Sequence, residues 1–140
     1  ATEVEQQGEG YVLASVGALA GAVPYTCYQV TRSALEEDRE TIEAFLRAIY
    51  RAQKFVEESD ARTVAEALAP AFSDASIDTL ETVVLRYREI GAFATSPVMT
   101  EDAYERLLDI MEQAGELDAR PPYAEIIQNS IAEQVMQEES

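Results

Sequence analysis

The sequence predicts an α/β fold, predominantly helical with about two strands, and two observations carry that expectation. Two short runs rich in aromatic and β-branched residues, Tyr11 to Val16 and Val23 to Val30, lie near the start. From Ser33 to the end, apolar residues instead recur with a period near 3.6. The expected order is therefore two strands, then helices. Two short strands make a marginal sheet with unpaired edges, so further strands are expected from an absent N-terminal half or from a second copy of the chain.

Each element has its own signal. Thr2 to Gln7 is polar and helix-tolerant, and Gly8 stops it. Tyr11 to Val16 suits a buried strand, Gly17 to Gly21 reads as a small flexible connection, and Pro24 opens the second strand because it lacks an N–H. Ser33 with Glu36 matches a capping box, and Asp38 is placed to cap the longest helix. Along that helix Ile42, Phe45, Leu46, Ile49, Ala52, Gln53 and Val56 form one nearly apolar stripe. Ser59-Asp60 starts the next helix and Pro70 ends it. Ile77, Leu80, Val84 and Tyr87 line another, closed by Gly91. Thr100-Glu101-Asp102 caps a further one, which ends at Gly115. After Arg120-Pro121-Pro122, a last helix is expected to carry Tyr123, Ile126, Ile127, Ile131 and Val135.

The 140 residues suffice for one core. A net charge of -17 repels phosphate backbones and anionic headgroups, which makes nucleic acid an unsuitable partner. Histidine is absent and Cys27 is the single thiol, so neither a Ser-His-Asp nor a Cys-His arrangement can be assembled from these residues, and Cys/His zinc sites are excluded. Glu36-Glu37-Asp38 lacks the spaced loop of a calcium hand and is better read as charge near a helix start. Arg47 with Arg51, and Arg86 with Arg88, stand among acids at helical spacing, where ion pairs are the ordinary outcome.

The strings Gly8-Glu9-Gly10-Tyr11-Val12-Leu13-Ala14-Ser15-Val16-Gly17 and Val23-Pro24-Tyr25-Thr26-Cys27-Tyr28 resemble the substrate-binding proteins of thiamine-pyrimidine-precursor, nitrate and sulfonate importers. The resemblance continues through Ala44 to Gln53, Thr95 to Met99, and Asp109 to Leu117. It implies the C-terminal fragment of a periplasmic-binding-protein-like (type II) two-lobed fold. Residues 1–23 would end the second lobe and form the hinge, and residues 24–140 would complete the first lobe. The implied function is the extracytoplasmic solute-binding component of an ABC importer. Its partners would be a small-molecule ligand, a membrane permease, and the missing half or a second copy.

The resemblance places Tyr25 and Thr26 at the start of the returning strand. There they are the expected ligand-binding residues, an aromatic face to stack and a hydroxyl to orient. No catalytic residue, metal or cofactor is expected. Two other classes compete with transport: a stand-alone acidic helical interaction domain, and a fragment of a pyrimidine-synthesising enzyme, whose histidine this sequence lacks.

Overall fold

The computed structural model describes residues 1–139 and is helical throughout its regular structure. The helices are α1 (Thr2–Gln6), α2 (Val16–Ala20), α3 (Arg32–Glu37), α4 (Arg39–Glu58), α5 (Ala61–Leu68), α6 (Ile77–Glu89), α7 (Glu101–Gln113), α8 (Tyr123–Ile126) and α9 (Ser130–Glu138), with a 3-10 turn at Ala69–Ala71.

The described residues contain no strand, so the expected α/β fold, and with it the two-lobed periplasmic-binding-protein arrangement, is overturned. The physical reason lies in what a strand requires. A strand is stabilised by pairing its backbone with a neighbour, and an isolated pair is marginal in water. Here Tyr11 to Ser15 and Ala22 to Val30 run without regular structure. Between them Ser15 Oγ accepts the Ala18 N–H at 3.2 Å and caps the single turn α2, where the sequence suggested only a flexible connection.

Elsewhere the helix signals hold where a side chain can satisfy the first N–H groups. Asp60 Oδ1 accepts the Thr63 N–H at 2.9 Å and begins α5. Ser76 Oγ accepts from Thr79 N at 3.1 Å for α6, and Thr100 Oγ1 from Ala103 N at 3.3 Å for α7. Helix α5 stops before Pro70, and Gly91 and Gly115 follow α6 and α7 at φ of 63° and 75°, left-handed values that glycine adopts without strain.

Two boundaries differ from expectation. The cap of α3 is Thr31, whose Oγ1 accepts the Ala34 N–H at 3.2 Å, and not Ser33. The last helix is broken after Ile126, because Asn129 is held by the backbone of Met99. Its Oδ1 accepts the Met99 N–H at 3.1 Å and its Nδ2 donates to the Met99 carbonyl at 2.8 Å, while Ile127 turns extended.

The chain divides into two compact units. The first holds Ala1–Gly21 and Ala52–Thr95. Its core is Ala61, Val64 and Val84, with Val56, Leu68 and Phe93 packed against them, formed where the apolar faces of α5 and α6 meet. Helix α1 lies on α6, tied by Arg86, which donates to Thr2 Oγ1 at 3.0 Å and pairs with Glu5. The second unit holds Ala22–Arg51 and Ser96–Ser140. It buries Tyr104, Leu108, Ile131, Ala132 and Val135, and Tyr104 packs edge-on to Tyr123 with ring centroids 5.5 Å apart. Helix α4 contributes to both units, yet none of its residues is fully buried. Its predicted apolar stripe is only half covered, and Phe45 remains 43% exposed.

Candidate functional site

Within the first unit, the last turns of α4, the end of α6 and the segment after Gly91 enclose a cleft of about 180 Å³. Its wall is formed by Gln53, Val56, Glu57, Arg88, Phe93 and Thr95. The local sequence explains the shape. Gly91 reverses the chain through its positive φ, which returns Phe93 to pack on the core and against Tyr87, ring centroids 5.5 Å apart. Arg88 then reaches back across the C-terminal end of α4, where its Nη2 donates to the carbonyls of Val56 and Ser59, the latter at 2.6 Å. A cation at the negative end of a helix is favourable, and it satisfies carbonyls that the helix leaves open.

Two residues of the wall each carry an unusual polar atom. Gln53 Oε1 and Arg88 Nε are both buried and have no hydrogen-bond partner. A buried donor or acceptor left unpaired costs on the order of 1–3 kcal/mol, which a group able to reach these atoms would recover. Arg88 differs from its neighbours in another way. Arg86 pairs with Glu5, and Arg47 and Arg51 pair with Glu139, acids distant in sequence and not the helical-spacing neighbours that were expected, whereas Arg88 is held by the carbonyls of Val56 and Ser59. With Glu57 also on the wall, the cleft carries one positive and one negative group.

Tyr25 and Thr26, the residues expected to bind ligand, lie in the second unit and are not among the residues of this cleft's wall. Tyr25 is 99% exposed and Thr26 is also exposed, in irregular chain. Cys27 beside them is exposed as well. Tyr28 alone of this stretch has an aromatic contact, edge-on to Phe45 at 4.7 Å. Among the described residues, Glu36-Glu37-Asp38 included, no group of three His, Cys, Asp or Glu side chains is gathered as metal ligands would be.

Arg88, Gln53 and Phe93 were not singled out as site residues by the sequence. The usable signal was Gln53, a polar residue on the otherwise apolar stripe of α4. Arg88 looked like any surface cation, and nothing in the sequence announced that it would turn toward backbone carbonyls.

No family model matches the sequence, and no solved structure matches it. The chain is 35% identical over 134 residues to a Bacillus subtilis (strain 168) protein named "Putative binding protein YtlA". The match covers 96% of this chain but 40% of that protein's length. The resemblance to the importer-binding group named above is therefore corrected: no family model supports it, and the helical structure lacks the strands on which that group's fold is built. No helix among the described residues is long and apolar enough to cross a membrane.

Proposed function

We propose that the chain is part of a non-catalytic binding protein, and that the cleft of the first unit takes a small molecule with an apolar body and one hydrogen-bonding edge. The observation that carries this reading is the pair of unpartnered atoms, Gln53 Oε1 and Arg88 Nε, on two residues of a wall whose apolar part includes Val56 and Phe93. An apolar pocket with a few convergent polar groups is the usual form of a small-molecule site. Oε1 asks for a donor and Nε–H for an acceptor, which a carboxamide or ureido edge supplies together. Opposite charges on Glu57 and Arg88 favour a neutral ligand. A cavity of about 150 Å³ already accommodates benzene, so a single-ring compound fits. The name of the Bacillus subtilis relative supports binding as the broader role.

In its finer form the reading makes this chain part of the extracytoplasmic solute-binding component of an ABC importer, delivering its ligand to a membrane permease. Tyr25 and Thr26 then act only once something covers them, since a fully exposed ring contributes little to holding a solute.

The test is a titration of the chain with benzamide, toluene and benzoate, followed by amide NMR shifts. Benzamide is expected to give saturable shifts at Gly91, Phe93 and Thr95, at lower concentration than toluene or benzoate. Gln53→Leu should abolish the preference for benzamide over toluene. Equal responses to all three compounds, or none at the cleft, would contradict the reading.

A further inference from the structure

From Gly10 to Thr31 the sequence carries no charged residue, in a chain whose net charge is -17. A stretch so apolar in so acidic a protein belongs in a core, yet nearly every large side chain in it faces water. In the first unit Tyr11 is 86% exposed, Leu13 96%, Val16 81% and Leu19 82%. In the second, Tyr25, Tyr28 and Val30 are exposed too. Exposed apolar residues scattered singly are ordinary, but so many close together along the chain mark a surface made to be covered.

The backbone tells the same story. Among the described residues, those from 22 to 30 enter no backbone–backbone hydrogen bond. Between 11 and 14 the one backbone N–H given a partner is that of Val12, which donates to Glu5 Oε1 at 2.7 Å. Water satisfies such groups in the free chain, and they remain available to a partner.

We infer that the two stretches Tyr11 to Val16 and Tyr25 to Val30 are docking segments, and that their occupant is the additional polypeptide that the Bacillus subtilis relative carries beyond the matched region. Three observations select that occupant. The match takes in 134 of the 140 residues, so the relative contains a counterpart of the whole stretch from 10 to 31. The same relative is much longer, with this chain spanning 40% of it, so a large body of polypeptide lies outside the matched region in the same molecule. A second copy of this chain would set two molecules of net charge -17 against each other, and their repulsion opposes association at low ionic strength. The inference stands apart from the cleft and from any ligand bound there.

Cys27, exposed and the single cysteine, reports on the second stretch directly. The experiment places this chain in the matched region of the full-length Bacillus subtilis protein and follows the rate at which Cys27 reacts with a thiol reagent. Deuterium uptake at the residues aligned with Tyr11 to Val16 is read in the unaltered full-length relative, which does not depend on the chimera folding. Docking is expected to slow the thiol reaction at least tenfold relative to the isolated chain, and to slow exchange in the aligned stretch. Equal thiol rates in a folded chimera and in the isolated chain would overturn the proposal, as would exchange at the unfolded rate in the relative. Concentration-dependent protection of Cys27 in the isolated chain, with a dimer mass by sedimentation, would overturn it in favour of self-pairing.

Discussion

The α5–α6 pair and the stretch from Gly10 to Thr31 are both rich in apolar residues, and the structure treats them oppositely. In the first, Val64 and Val84 are each 1% exposed and the helices bury one another's stripes. In the second, Leu13 is 96% exposed. The difference is one of partners. A helix satisfies its own backbone and needs only one apolar face opposite its stripe, which a neighbour a few residues away supplies. A run with the composition of a strand must find both a backbone partner and an apolar face; among the described residues Tyr11 to Ala14 and Tyr25 to Val30 pair with no neighbouring strand, and most of their large side chains stay exposed.

The largest expected effect sharpens that contrast. Leu80→Ala, on the buried side of α6, should cost about 2–5 kcal/mol of unfolding free energy, while Leu13→Ala in the isolated chain should stay within about 0.5 kcal/mol. Equal losses in chemical denaturation would erase the distinction between the two regions. Next comes Ser76→Ala, which removes the cap of α6 and should cost about 1 kcal/mol, whereas Ser15→Ala should melt the exposed turn α2 without lowering the midpoint of the main transition.

A smaller effect is set by pH. The Val12 N–H, and then Arg86, hold the Glu5 carboxyl below its ordinary 4.5; Thr63 holds the Asp60 carboxyl below 3.8. Both folded-state values are depressed, so the stability these groups add is present above their ordinary values and is lost as pH falls through the folded ones. The stability difference between the natural chain and Glu5→Gln should therefore shrink steadily below pH about 4.5; a difference that grew on acidification would reverse the assignment. The smallest expected effect is that of Tyr25→Ala, which should leave the isolated chain's melting unchanged because its ring touches nothing that folds.

How much was legible in the sequence follows the same division. Caps at Asp60 and Thr100 and stops at Gly91 and Gly115 could be read because each is decided within a few residues. The strands at Tyr11 to Val16 and Val23 to Val30 could not be settled that way, since composition states a preference and a partner decides the outcome. Ile127 joined a good helical stripe on paper, but the grip of Asn129 on Met99, distant in sequence, broke the helix there. The cleft was hidden for a similar reason. Gln53 stood out faintly on its stripe, whereas the role of Arg88 depends on where α6 ends relative to α4.

The most direct measurement is hydrogen–deuterium exchange of the isolated 140-residue chain, resolved by segment. The account expects amides from 22 to 30 to exchange at rates close to those of an unfolded peptide, while those of α5 and α6 are protected through the global unfolding free energy. Protection of residues 22–30 comparable to that of α6, in a monomer at the same concentration, would mean that this stretch is already paired within the chain, and would contradict the account.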